Sequence, residues 1–260
     1  MRDSLTPMSG LSGVLVIDKP SGISSAKAVA IVKRRCGGAK VGHAGTLDPL
    51  ATGVLVLAIG SATKQASALM EGEKGYETEI DLSAFTTTDD AEGPRTEVPV
   101  ATPPTREQIE RALDAFRGTF MQAPPAFSAV KIQGRRAYDI AREGMRAASA
   151  GLPAGAGAPT DAGTHASAAL PAPTARPVTT HAVEIHSYEW PLLRLAIRSA
   201  KGFYVRSLAR DLGRALGTGG FCASIRRTRV GPYTLAQAKS IDALPPRLAA
   251  TDLLTTPAGS

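Results

Sequence analysis

From Met145 to about Ala175 the chain is mostly Ala, Gly, Pro, Ser and Thr, with hardly a large apolar residue. Such a stretch cannot bury enough surface to offset the entropy of ordering it, so it reads as a disordered insertion. Any core must therefore be built from the segments on either side. Residues 1–10 read as a loose tail, 11–243 as one domain that the insertion interrupts, and 244–260 as a short C-terminal tail.

The flanking segments carry clear periodicities. Val14-Leu15-Val16-Ile17 is a short apolar run expected to form a fully buried strand, ended by the turn Asp18-Lys19-Pro20-Ser21-Gly22. Ser24 or Ser25 can cap a helix to about Cys36, which Gly37-Gly38 stops. Lys33, Arg34 and Arg35 crowd its last turn, where they suit the helix dipole and could also meet a phosphate. A Gly-rich loop from Val41 to Pro49 leads into a second buried strand at Gly53–Ile59, a short helix near Ala62–Leu69 and an alternating strand from Tyr76 to Leu82. Thr86–Pro104 reads as a polar connection. Thr105 and Gln108 form a capping-box pattern for a helix to Phe116, with Gly118 ending it. Residues 127–132 look extended, followed by a short helix around Ala137–Glu143. Beyond the insertion come strands near Val178–Trp190 and Leu192–Ser199, a helix at Val205–Leu216 and a last strand at Phe221–Val230. Strands and helices mix without βαβ alternation, so the expected fold is α+β around a mixed, largely antiparallel sheet with flanking helices and a central cleft.

Lys and Arg outnumber Asp and Glu by 30 to 23, a net charge of +7. That surplus fits a polyanionic partner such as nucleic acid, and equally a basic solvated surface. The N-terminus has no apolar run behind its charge, and the apolar stretch at Val54–Ile59 is far too short to span a bilayer. A cytoplasmic protein with no membrane contact is expected. Cys36 and Cys222 are isolated, and His43 has no Cys or His at ligand spacing, so no metal site is expected.

The stretch richest in chemical information is Gly42-His43-Ala44-Gly45-Thr46-Leu47-Asp48-Pro49-Leu50-Ala51-Thr52-Gly53. It lacks the Gly-Lys-Ser/Thr ending of a phosphate-cradling Walker loop. Asp48 precedes a proline, which keeps it out of helical geometry. Taken alone it could be an ordinary turn carboxylate or a side chain held exposed on a rigid support.

This stretch resembles the catalytic loop of the TruB family of tRNA pseudouridine synthases, whose pattern runs Gly-His-x-Gly-(Thr/Ala)-Leu-Asp-Pro-x-x-x-Gly. Three further segments follow in family order. Asp18-Lys19-Pro20-x-Gly22-x-x-Ser25 resembles the N-terminal motif, and Tyr76 after Lys74-Gly75 falls on the active-site tyrosine. Lys201-Gly202-Phe203-Tyr204-Val205-Arg206-Ser207 resembles the segment bearing the active-site arginine. The resemblance covers roughly residues 11–243.

What the resemblance implies is an isomerase that converts uridine to pseudouridine in the T-loop of tRNA, at position 55, without cofactor. Asp48 would be the nucleophile, attacking C1′; a glycal route initiated at the 2′ proton is the alternative. Arg206 would form a direct ion pair with Asp48, and Tyr76 would stack on the uracil and hydrogen-bond or accept a proton nearby. His43 would bind RNA near the flipped-out base, and Tyr204 would line or underlie the same pocket. Lys19 and Lys201 would buttress the site or contact phosphate. The basic run around Lys131, Arg135 and Arg136 corresponds to a thumb-like insertion that clasps the tRNA elbow. Bacterial members often continue into a small RNA-binding domain of the PUA type; none is expected after Leu244. A monomer acting on tRNA without a guide RNA is expected. The rivals are a non-catalytic RNA-binding protein and a guide-dependent relative.

Overall fold

The structure, a computed structural model, describes residues 10–126 and 174–255, with the backbone of 131–132 and 135–136 between them. In chain order the strands are β1 (Gly13–Lys19), β2 (Val41–His43), β3 (Thr52–Ile59), β4 (Lys74–Asp81), β5 (Ala84–Thr86), β6 (Arg95–Glu97) and β7 (Gly118–Gln122). They continue as β8 (Lys131–Ile132), β9 (Arg135–Arg136), β10 (Arg176–Glu189), β11 (Leu192–Ser199), β12 (Phe221–Val230), β13 (Tyr233–Thr234) and β14 (Lys239–Ser240). The described helices are α1 (Ser25–Arg35), α2 (Ala66–Glu71), α3 (Arg106–Leu113) and α4 (Val205–Leu216).

Ten strands form one sheet in the order β14-β1-β3-β12-β4-β11-β10-β7, with β2 also on β3 and β13 on β12. The β1–β14 and β12–β3 contacts are parallel and the rest are antiparallel. Strands from before and after the 145–175 tract interleave, since β12 lies between β3 and β4. The fold is α+β, as expected.

The apolar runs of β1 and β3 are continuous because both faces of these strands are covered. Leu15, Ile17, Leu55, Leu57 and Ile59 enter the main core, with α1, α3 and α4 packed over that face. Val14, Val16, Val54 and Val56 pack on the other face with Ala44, Val230 and Tyr233. β11 is covered on one face only, so Leu193, Leu195 and Ile197 are buried while Leu192, Arg194 and Arg198 are exposed. Ser24 caps α1, Thr105 and Gln108 form the capping box of α3, and Gly217 ends α4 with φ 69°.

Several local expectations need correction. Val41–His43, read as loop, pairs with β3, and the polar connection after Thr86 contains a hairpin partner, Arg95–Glu97 on Ala84–Thr86. β7 and β14 are edge strands with no strong alternation to announce them. The helix near Ala62 opens as a 3-10 turn at Gly60–Gln65. Residues 127–130 and the helix anticipated at 137–143 lie outside the described residues. Past Ser240 the chain returns over α1. Ile241, Leu244 and Leu248 are buried, and Leu254 exchanges backbone hydrogen bonds with Val14. Arg35 is occupied there, donating to the Ile241 and Leu244 carbonyls at 2.6 and 3.0 Å.

Candidate active site

The loop between β2 and β3 is pinned on both sides, which fixes Asp48. The buried Ser25 hydroxyl, at the start of α1, donates to the Leu47 carbonyl (2.9 Å) and accepts from the Leu47 amide (2.8 Å). Gly22 N–H donates to the Pro49 carbonyl at 2.9 Å. Lys19 is wholly buried and donates to the carbonyls of Pro20, Ile23 and Pro49 at 2.8, 2.7 and 3.2 Å. Burial lowers its pKa to about 8, against the pull of nearby Asp48. Lys19 thus ties the β1 turn to the loop that carries Asp48, its ammonium buried on three backbone carbonyls. Gly53 must be glycine: its φ is +98°, and a Cβ there would stand 2.2 Å from the Arg227 carbonyl oxygen.

Arg206, on the first turn of α4, holds the other side of Asp48. Its side chain is 4% exposed, and Nη2 lies 2.9 Å from Asp48 Oδ2, the ion pair the resemblance implied. Nη1 donates to the Thr88 carbonyl at 2.8 Å and lies 3.3 Å from Asp90 Oδ2. Burial opposes the guanidinium's charge most, but the surrounding negative groups, Asp48 and Asp90 foremost and Asp89 further off, together push its pKa up. Asp90 is itself anchored, its Oδ1 accepting from Thr88 Oγ1 and from the Glu92 amide at 3.0 Å. One buried cation is therefore shared by a sealed carboxylate, Asp90, and a carboxylate open to solvent, Asp48, whose side chain is 36% exposed.

Asp48 and Arg206 line a cleft of about 490 Å³, within the usual range for a small-molecule site. Tyr76, Tyr204, Phe203, Ile225 and Arg227 form its walls. Burial pushes the Tyr76 phenol pKa up, while the Arg227 guanidinium beside its hydroxyl pulls the other way. The Tyr204 backbone is clasped by buried Gln122, and Arg176 stacks over its ring at 5.4 Å and donates to its hydroxyl at 3.1 Å. At the lip, exposed Lys201 pairs with Glu71 of α2 at 2.6 Å.

Tyr76, Tyr204, Asp48 and Arg206, scattered over 158 positions of sequence, are thus brought to one cleft. His43 is not among the residues that line it: it sits in β2, its Nδ1 buried and without a hydrogen-bond partner among the described residues. Burial, then the charge of Arg227, lowers its pKa and favours neutral imidazole. The backbone of Lys131 pairs with that of Arg136, and Ile132 with Arg135, but the side chains of this basic run lie outside the described residues. Among the described residues no cluster of His, Cys, Asp and Glu is arranged to hold a metal ion.

Two members were missed from sequence. Asp90 gave no local sign, since its partner is 116 positions away and its loop reads as polar connection. Arg227 did leave a trace: it stands two residues from Ile225 on a strand, which puts both on the same, inward face.

Comparison with known proteins fits this geometry. Residues 33–151 match the family model described as TruB family pseudouridylate synthase (N terminal domain), and residues 206–252 match the tRNA pseudouridylate synthase B C-terminal domain. A tRNA pseudouridine synthase B of Gluconacetobacter diazotrophicus is 44% identical over 236 residues, covering 91% of this chain and 69% of that protein. One of Aromatoleum aromaticum is 40% identical over 90% of this chain and 68% of its own length. Among solved structures, a Cbf5-Nop10-Gar1 complex matches with a TM-score of 0.59 and 27% identity, covering 85% of this chain and 50% of the matched one. This chain therefore spans about half the length of that solved protein. Together with these matches, the fold and its cleft are those of a pseudouridine synthase. The chain belongs to the TruB family.

Proposed function

We propose that this chain isomerises uridine to pseudouridine in the T-loop of tRNA with Asp48 as the nucleophile, using no cofactor and no guide RNA. The observation that carries the reading is the Asp48–Arg206 pair at 2.9 Å on the floor of a cleft walled by Tyr76 and Tyr204. The target nucleotide leaves its stack to enter the cleft, at a cost of a few kcal/mol. Asp48 Oδ forms a bond to C1′ as the C1′–N1 bond breaks, and the electron pair stays on the uracil as its anion. The base turns, C5 bonds to C1′ and Asp48 is released as its carboxylate; the C5 proton then passes to water while N1 takes one up from water, which leaves the neutral C-glycoside. No electrons are gained or lost overall, so the chemistry needs no redox group. Arg206 holds the attacking oxygen in place, and Asp90 and Thr88 hold Arg206. The basic surplus of the chain supplies long-range attraction for the RNA. A cytoplasmic monomer suits this role. Relatives named as tRNA enzymes are 40–44% identical, against 27% for the guide-complex protein Cbf5, which favours the guide-free reading.

The test is tritium release from a naked tRNA transcript labelled at uridine C5, with the wild-type chain, Asp48→Asn, and a transcript whose T-loop target is cytidine. Release by the wild type alone, lost with the variant and with the altered transcript, supports the reading. Release that persists with the cytidine transcript would place the target elsewhere. No release from a folded wild-type chain that binds tRNA would favour a binding role.

A further inference from the structure

Arg227 is among the most enclosed cations of the described structure, 3% exposed at the base of the cleft. Sequestering a charge of this kind is costly unless it is used. Its Nε donates to the Val54 carbonyl at 2.8 Å, Nη1 to Thr46 at 3.2 Å and Nη2 to Gly45 at 3.1 Å. These three contacts are to neutral oxygens, and they fix the guanidinium plane under the catalytic loop. A guanidinium has five N–H groups, so the plane still presents donors beyond these three. Arg227 and Tyr76 are direct partners across the β12–β4 ladder, which puts both side chains on the same face of the sheet. The Arg227 guanidinium stands beside the Tyr76 hydroxyl, both groups facing the cleft.

That placement dictates which way the phenol can act. With a cation facing its oxygen, the Tyr76 hydroxyl directs its own proton away from the guanidinium. Tyr76 lines the cleft, so this direction is toward the bound base. In the step proposed above, breaking the C1′–N1 bond leaves a negative charge spread over N1 and the carbonyl oxygens of uracil. A hydrogen-bond donor fixed in advance at such a charge is the kind of group that lowers a barrier most.

We infer that Arg227 is a positioning residue that holds the Tyr76 hydroxyl as a hydrogen-bond donor to the departing uracil anion. The tyrosine proton is shared and not transferred, so the atom balance of the reaction is unchanged. The inference rests on the synthase reading of the cleft. It differs from a purely structural role for Arg227 in that the effect must pass through Tyr76.

The experiment is a double-mutant cycle in single-turnover tritium release on the labelled tRNA transcript, with Tyr76→Phe, Arg227→Lys and the double variant. Folding is checked by circular dichroism and tRNA binding by filter retention. Each single change is expected to lower the rate about 10²-fold, the loss typical for one such donor. The double variant should fall less than about 10-fold below the slower single variant, since both remove one device. A product of the two losses, about 10⁴-fold, would mean that Arg227 acts independently of Tyr76 and would overturn the inference. So would an unchanged rate with Arg227→Lys. Should that variant not fold, 3-fluorotyrosine placed at position 76 of the otherwise unaltered chain decides. A more acidic donor keeps or raises the rate below its own pKa, whereas a fall would show that the phenol serves as a base. Absence of release from the wild type would refute the synthase reading itself, a result distinct from either.

Discussion

Neutralising Asp48 and neutralising Asp90 should separate activity from stability, although both carboxylates share Arg206. Asp48 is over one third exposed, so water already solvates its charge, and an ion pair of this exposure contributes about 0–1 kcal/mol. Arg206 keeps Asp90 and the Thr88 carbonyl when Asp48 becomes Asn. Asp48→Asn should therefore melt within a few degrees of the wild type while losing tritium release altogether. Asp90 is 3% exposed, and its Oδ1 also holds the Thr88 hydroxyl and the Glu92 amide. Breaking a buried pair by removing one partner costs about 3–5 kcal/mol, and the amide retains part of the hydrogen bonding, so about 2–4 kcal/mol is expected. For a chain of this size each kcal/mol moves Tm by about 2–4 °C, which puts Asp90→Asn roughly 5–15 °C below the wild type. Its turnover should fall but not vanish, because Asp48 is intact and only the aim of Arg206 is loosened. The assay pairs thermal melts by circular dichroism with single-turnover tritium release at 20 °C below the lower Tm. Equal melting losses for the two variants, or an Asp90→Asn chain as stable as the wild type, would refute the division of labour drawn from their burial.

Three further outcomes are expected. Ser25→Ala removes both anchors of Leu47 inside the core and should cost about 1–3 kcal/mol, with a lower turnover rate, checked by urea melts and tritium release. Gly53→Ala forces a side chain into left-handed backbone and against the Arg227 carbonyl, so a loss of at least about 1–3 kcal/mol with loss of activity is expected in the same assays. Burial holds Lys19 near pKa 8, below the unfolded-chain value, so between about pH 8 and the ordinary lysine range the unfolded state carries a proton the native state has shed. Stability contributed by this group therefore rises with pH across that window, and urea melts at pH 7.5 and 9.5 should show the wild type gaining on Lys19→Met.

Much of the fold was readable because its elements carry their own periodicity. The helix at Val205–Leu216 and the strand at Phe221–Val230 fall where the pattern put them, down to the glycine that ends the helix. The elements that sequence missed are those whose partners define them. Val41–His43 is a strand only because β3 runs beside it, and β7 and β14 are short edges of the sheet. The C-terminal stretch looked like a tail because its buried positions, Ile241, Leu244 and Leu248, are few and Pro245-Pro246 between them breaks the helix that their spacing would suit.

The site divides in the same way. Asp48, Tyr76 and Arg206, which meet in the cleft, stood out through the resemblance of their segments to a family's motifs, since the residues alone suited a turn carboxylate and a core tyrosine equally well. By itself the sequence determined the shape of the Asp48 loop, most of the elements that carry it and the α+β class. Only the tertiary structure decided that Lys19 faces inward to carbonyls, that His43 is not part of the cleft lining, that Arg227 is, and that buried Asp90 holds Arg206. The physical reason is that a buried charge is defined by its partners. Arg206 meets Asp90 from 116 positions away and Arg227 meets the Thr46 carbonyl from 181, separations over which the chain holds no local record of the contact.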